Sequence, residues 1–354
     1  MALLHLLKEG TESDHKKLLF VPVVVWLDEG AALGLSLDQR RRNTAEMREI
    51  LRSFGFSYHF AQLEDYNSGE VRVCDGEDGG EELQYDEVQA RALNSSISSL
   101  KDASARQELL LQVRRSVLLA TAARLSCLKI LTGETGTRLA VELLSGVAGG
   151  VGAGLPHRVG FRDTRDNVTI LRPMRELSVK EVYLYGSYQQ VETWHGQEAA
   201  PADTIRKVTQ EFLFGLQENF PSTIPTVNRT GDKLTVAESG EERCCLCEAS
   251  LDTETVQHNA LQATLYSSLM SGGGQIGTNT AQDQSGCCGE GDGSCQTRTC
   301  SLTMQEVLQA LCYTCRRTFE KVKSVESIPA SLRERIKSHL RRKDMKQEIS
   351  DFLL

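Results

Sequence analysis

Leu128-Lys129-Ile130-Leu131-Thr132-Gly133-Glu134-Thr135-Gly136-Thr137 is a short apolar run that breaks into a glycine-punctuated turn, and Arg138 to Val147 continues at helical spacing. A second apolar run, Val168-Thr169-Ile170-Leu171, follows and is closed by Arg172-Pro173-Met174-Arg175. Strand, helix and strand in this order predict a parallel pair with a crossover, hence α/β architecture. In open parallel sheets, ligands sit beyond the carboxyl ends of the strands. Thr135 and Thr137 stand at such an end and at a helix N-terminus, where free backbone N–H groups attract anions. The unit reads either as a nucleotide or phosphate site, or as an N-cap and tight turn that serves no ligand.

Outward from this unit, Val21 to Leu27 is almost continuously apolar, as befits a strand buried on both faces of a parallel sheet. Asp28-Glu29-Gly30 ends it, with the two acids either terminating the strand or reaching a ribose or metal. Ser36 reads as an N-cap, Leu37 to Phe54 as a helix stopped by Gly55, and Ser57 to Leu63 as another strand. Within that helix, Arg40-Arg41-Arg42 reads as a solvated face, with nucleic-acid contact as the alternative. Residues 66–100 are acidic and rich in Gly and Ser, which predicts a mobile insertion. Ala105 to Cys127 reads as a long helix; Ser178 caps another to Tyr188, and a further one runs from Ala202 to Asn219. Gly149 to Gly154 is a Gly-rich loop without a Walker Lys, and the seven His define no Ser-His-Asp arrangement.

A chain of 354 residues holds one large domain and a smaller one. No apolar run approaches a membrane span and the N-terminus lacks a signal pattern, so the reading is cytosolic. The eleven cysteines are then reduced thiols or metal ligands rather than disulfides. Net charge is −8 but uneven: from Cys312 to Lys346 eleven Lys or Arg oppose four acids, leaving the remainder at −15. Such a local excess suits a phosphate backbone, or simply the wet face of an amphipathic helix.

Cys244-Cys245-Leu246-Cys247 and Cys312-Tyr313-Thr314-Cys315 are two CxxC pairs. Each lets two thiolates grip one ion from a single knuckle, and two knuckles complete a four-sulfur site. Cys244, Cys247, Cys312 and Cys315 are the candidate ligands for zinc, with iron–sulfur ligation and metal-free thiols left open. Cys287, Cys288, Cys295 and Cys300 lie in a low-complexity stretch, 271–300, that is expected to be disordered. Three units result: an α/β domain over 1–235, a Cys-rich zinc-ribbon-like module over 236–325, and a basic helix over 326–354.

The chain resembles the cytoplasmic tRNA 2-thiolation protein 2 family. The likeness is carried by Thr132 to Ala140, Gly150-Val151-Gly152-Ala153 with Leu155-Pro156, Phe161-Arg162-Asp163-Thr164-Arg165, and Arg172 to Arg175. Phe220-Pro221-Ser222-Thr223, Arg229-Thr230, Lys233-Leu234, both CxxC pairs and the ending Ile349 to Leu354 extend it. The resemblance implies a PP-loop ATPase-like fold and a subunit of the complex that 2-thiolates the wobble uridine of tRNAs for Lys, Glu and Gln. It implies a heterodimer with a catalytic sister subunit, and sulfur delivered as a thiocarboxylate on a ubiquitin-related modifier. It also implies a nucleotide-pocket remnant at Gly133, Glu134, Thr137 and Arg138, with ATP occupancy open. For tRNA, the basic candidates are Arg316, Arg317, Arg341 and Arg342.

Three departures bear on activity. The Ser-Gly-Gly-x-x-x-Ser phosphate loop is not found, Glu134 stands where the family pattern has Asp, and Val151 replaces an Arg between glycines. An incomplete N-terminus is therefore expected, with a central strand missing between those at Val21 and Leu128. At ~4.8 Å per strand that leaves a gap of roughly 10 Å. No catalytic residue is assigned, and a non-catalytic or co-catalytic subunit is expected. The alternatives are a stand-alone ATP-dependent tRNA sulfurtransferase and a zinc-ribbon interaction protein.

Overall fold

A computed structural model describes residues 1–12, 19–76, 83–165, 167–194, 203–235, 242–251 and 302–352. After the first helix, α1 (Ala2–Glu12), the front apolar run forms β1 (Val23–Asp28). It pairs in parallel with β2 (Ser57–Gln62), Val23 opposite Ser57 through Asp28 opposite Gln62. The crossover is α2 (Leu37–Phe54), opened by Ser36, whose Oγ accepts the Gln39 N–H at 3.3 Å. Gln39 Oε1 in return accepts the Ser36 N–H at 3.1 Å. Two otherwise orphaned donors are thus satisfied together. Gly55 closes the helix at φ 73°, a left-handed conformation that disfavours side chains. A short helix, α3 (Asp65–Ser68), and β3 (Cys74–Asp75), antiparallel to β2, complete this half.

The deciding stretch folds as read. β4 (Lys129–Leu131) lies parallel to β6 (Thr169–Leu171), and α6 (Gly136–Gly149) with α7 (Leu155–Val159) makes the crossover. β5 (Arg162–Asp163) adds antiparallel to β6. The architecture is α/β, but as two three-stranded sheets, ordered β1-β2-β3 and β4-β6-β5. Among the described residues, β1 and β4 each pair on one side only. Both faces of β1 pack, Val25 and Leu27 against one apolar cluster and Val24 and Trp26 against another. Its apolar residues are nevertheless only half-buried, and among the described residues one flank of the strand has no strand partner.

Within 66–100 the structure differs from the expected insertion. Glu87–Ser99 is a helix, α4, capped by Asp86, which accepts the Val88 and Gln89 N–H groups at 2.9 and 3.1 Å. Its Leu93 and Ile97 are buried against Leu109, Val113 and Val117 of α5 (Ala103–Arg124). Serines and polar neighbours mask this stripe in the composition. Residues 77–82, the acidic glycine tract, lie outside the described residues, as do 271–300 with Cys287, Cys288, Cys295 and Cys300.

The same core continues through the Cys-rich part. It takes Leu246, then Val307 of α11 (Met304–Gln309), Phe319 of α12 (Tyr313–Phe319), and Leu332 and Ile336 of α13 (Ala330–Phe352). The three units read from the sequence therefore share one hydrophobic interior. A smaller cluster joins Ala140 and Val141 of α6 to Leu213 of α9 (Ile205–Asn219) and Ile224 of α10 (Thr223–Asp232). α9 starts at Ile205 rather than Ala202 because Thr204 Oγ1 caps the Lys207 N–H at 3.1 Å. Ser178 opens α8 (Val179–Tyr188) with a capping box. No described helix is long and apolar enough to cross a membrane.

Arg41 and Arg42 are exposed, as the reading of a solvated face expects, but Arg40 departs from it. It is 4% exposed, bonding Asp28 at 2.6 Å and Glu64 at 2.5 Å, because the inner face of α2 crosses the carboxyl ends of β1 and β2. Burial raises the Glu64 carboxyl above its ordinary range, and the Arg40 charge opposes that rise. Arg40→Met would strand two carboxylates in the interior, a change that costs about 3–5 kcal/mol. Urea unfolding at neutral pH should register a loss of that size. An unchanged midpoint would refute the structural role given to this triad.

Candidate functional site

The two CxxC knuckles converge. The Sγ atoms of Cys244, Cys247, Cys312 and Cys315 all lie within 4.8 Å of one another, with Cys247 and Cys312 at 3.5 Å. Backbone bonds shape the first knuckle: Cys244 N–H donates to Ala249 O at 2.9 Å, and Glu248 N–H to Cys244 O at 2.9 Å. Glu248 adopts φ 60° to close that turn. Cys312 is the N-cap residue of α12, and Cys315 lies within its first turn, fully buried. Cys245 is not among the four converging sulfurs, and its N–H is bonded to Ala310 O at 3.0 Å.

Thiol chemistry suits a metal ion. Burial opposes ionisation of Cys244, but hydrogen bonds from Cys247, Cys312 and Cys315 outweigh it and hold that thiol well below its usual range. Cys315 is pushed up by its bond to Cys244 and by the neighbouring thiols, so the protons are shared unequally among the four. Binding an ion displaces such protons. A tetrahedral ion with metal–sulfur bonds of about 2.3 Å sets sulfurs about 3.8 Å apart, which the observed separations fit.

A buried ionic clamp fastens this knuckle to the second sheet. Arg165 NH1 donates to Cys247 O at 2.8 Å, while its Nε and NH2 grip Asp163 at 2.9 and 2.6 Å. Arg115 and His157 approach the same carboxylate, each at 3.4 Å, and Arg243 NH1 donates to Arg165 O at 2.7 Å. Burial would raise the Asp163 carboxyl, but the Arg165 bonds and the Arg165 and Arg115 charges prevail and hold it at about 2. Burial and the Arg165 charge together lower His157, keeping it neutral at physiological pH. Phe161-Arg162-Asp163-Thr164-Arg165 stood out in the sequence as a pattern, but nothing local revealed that its partner lay some 80 residues ahead.

The four nucleotide-pocket candidates do share the start of α6, yet the chain already occupies that place. Gly136 N–H donates to Leu177 O at 2.8 Å, and Arg138 N–H to Thr135 Oγ1 at 3.4 Å. A Cβ at Gly136 would lie 2.5 Å from Arg175 O, so backbone packs directly on the helix end. Thr137 is buried and its Oγ1 accepts the Val179 N–H at 3.1 Å. Glu134 takes the Arg172 Nε at 2.6 Å; Gly133 and the Arg138 side chain are exposed. Across the crevice Glu29 pairs with Arg114, and Asp28 is consumed by Arg40. The acids at the strand ends serve ion pairs.

The basic candidates spread over two helices. Arg316 on α12 is half-buried, its Nε donating to Leu308 O at 3.1 Å, whereas Arg317 is exposed. Arg341 and Arg342 are exposed on α13, with Arg342 Nε bonded to Ser338 O at 3.2 Å.

A sequence model of the family described as Cytoplasmic tRNA 2-thiolation protein 2 matches residues 204–317. A curated protein of that name from Danio rerio is 32% identical over 98% of this chain and 81% of its own length. The one from Homo sapiens is 30% identical over 98% and 80%. Among solved structures, the U34-tRNA thiolase NcsA from Methanococcus maripaludis with its [4Fe-4S] cluster aligns at TM-score 0.49 and 13% identity, covering 78% of each chain.

Because the Asp163 carboxyl is depressed in the folded state, its stabilising share is complete above the unfolded value of about 3.9 and is lost as pH falls through about 2. Asp163→Asn should lower unfolding free energy near neutrality by about 2 kcal/mol. The deficit should narrow as pH drops from about 4 toward 2. Urea titrations at several pH values would show it; a deficit independent of pH would contradict the clamp.

Proposed function

The chain belongs to the cytoplasmic tRNA 2-thiolation protein 2 family, and from that premise we propose that it serves cytosolic wobble-uridine 2-thiolation by assisting a catalytic partner. One observation carries the assisting role. The crevice at the strand ends, where a nucleotide would sit, is filled by the chain's own pairs: Gly136 with Leu177, Glu134 with Arg172, and Glu29 with Arg114. An ATP phosphate would have to displace each of these, and no uncommitted amide row awaits it at Gly136 or Arg138.

The finer terms follow the family resemblance. The partner is the catalytic sister subunit, in a heterodimer; the sulfur donor is a thiocarboxylated ubiquitin-related modifier; the substrates are tRNAs for Lys, Glu and Gln, in the cytoplasm. The exposed cations Arg317, Arg341 and Arg342 would contact tRNA, with Arg316 held partly by the Leu308 carbonyl. For the metal, zinc is the ion we assign to Cys244, Cys247, Cys312 and Cys315. A four-iron cube places an iron behind each thiolate and would hold the sulfurs further apart than the span of 4.8 Å. Bound zinc would supply a structural crosslink rather than a reactive centre, since all four of its positions are taken by protein sulfur.

Purified protein on its own should give no ATP–pyrophosphate exchange above background with tRNA present. Adding the sister subunit should bring exchange, and adding the thiocarboxylated modifier as sulfur donor should then produce 2-thiouridine detectable by nucleoside mass analysis. Robust exchange by the lone chain would favour the stand-alone sulfurtransferase instead.

A further inference from the structure

A cavity of about 140 Å³ opens where the N-termini of α5 and α9, the C-terminal turn of α6 and the outer face of α12 meet. Nothing in the sequence pointed to it. Its floor is charged but internally settled. Arg158, largely buried, clasps Glu108 through NH1 and NH2 and reaches Glu142 at 3.4 Å. Arg206 meets Glu142 at 2.5 Å, so two cations and two carboxylates cancel.

The rim is different. Lys101, Arg317 and Lys321 are exposed cations with no ion-pair partner among the described residues. Two rim acids oppose them, Asp102 and Glu320, and Asp102 is committed to capping α5 through the Ser104 N–H at 3.1 Å. The rim therefore carries a residual single positive charge above an apolar-and-polar hollow. The starts of two helices, α5 and α9, add positive ends to the same wall, tied together by Ile205 N–H donating to Ser104 Oγ at 3.1 Å. The closing turn of α6 sets a negative helix end against these two positive ones, and the Thr314 hydroxyl donates to Gly150 O just past it at 2.8 Å.

We propose that this cavity, framed by Lys101, Arg317 and Lys321, seats a phosphate, and that its source is one backbone phosphodiester of the bound tRNA. The claim rests on the tRNA reading above and names where the strand is gripped. Charge selects the source: a phosphodiester brings a single negative charge, which the rim neutralises. A free phosphate or terminal nucleotide phosphate brings closer to two, and would leave an excess beside Glu108 and Glu142. The site also borders α12, the helix that carries Cys315.

The test uses the full chain carrying Lys101→Gln and Lys321→Gln together, both at exposed positions, with an unchanged melting curve as the folding check. Fluorescence anisotropy with an unmodified tRNA transcript should show affinity reduced roughly tenfold and the slope of log K against log salt reduced by about 1. In a second arm, phosphorus NMR with inorganic phosphate should show no binding beyond that of ionic strength. Lost tRNA affinity without phosphate binding supports the proposal. Phosphate binding that the double variant abolishes, with tRNA affinity unchanged, overturns the RNA source. Unchanged affinity and slope with no phosphate bound overturns the site while leaving tRNA binding intact. Wild-type protein that binds no tRNA at all overturns both this proposal and the reading beneath it.

Discussion

Four cysteine sulfurs gathered in the interior are the constraint on which the rest of the molecule depends. Left as thiols they would crowd one buried pocket; held by one ion they become a crosslink between segments 65 residues apart. The core built around them is continuous from Ala61 on β2 to Ile336 on α13. Arg165 extends the crosslink into the second sheet by reaching the Cys247 carbonyl while gripping Asp163 beside β6. Breaking such a buried pair at one end leaves an uncompensated charge, so the clamp holds the knuckle against the second sheet only while both partners stay.

That arrangement changes how the α/β half should be understood. The carboxyl ends of its strands carry acids at Asp28, Glu29 and Glu134, and each faces an arginine, Arg40, Arg114 and Arg172. A pocket kept ready for a nucleotide holds cations for phosphate and leaves amides free. Here the cations neutralise carboxylates, and the Gly136 and Arg138 amides meet the chain's own carbonyl and hydroxyl. The polar groups at the strand ends are thus engaged in ion pairs and hydrogen bonds within the chain.

Local signals made much of this legible. Ser36 and Ser178 cap the helices they were read to cap, Thr135 takes the N-cap of α6 where the reading was left open, and Gly55 ends α2, because capping depends on residues three or four apart. The CxxC spacings named all four sulfurs of the cluster, since each knuckle is itself local. What escaped was non-local. Arg40 looked solvated inside an arginine triplet, yet its partner Glu64 lies 24 residues on. The apolar stripe of α4 was diluted by serine, so Leu93 and Ile97 passed as part of an insertion. The pairing of Arg158 with Glu108 spans 50 residues, and no pattern in one sequence marks such a distance.

The central claim is that one metal ion, held by sulfur alone, closes this fold. Metal analysis with X-ray absorption on the purified full chain tests it most directly. The account predicts one zinc per chain with four sulfur neighbours at about 2.3 Å. Four irons per chain, or no metal with every cysteine of the cluster open to thiol reagents in the folded protein, would contradict it.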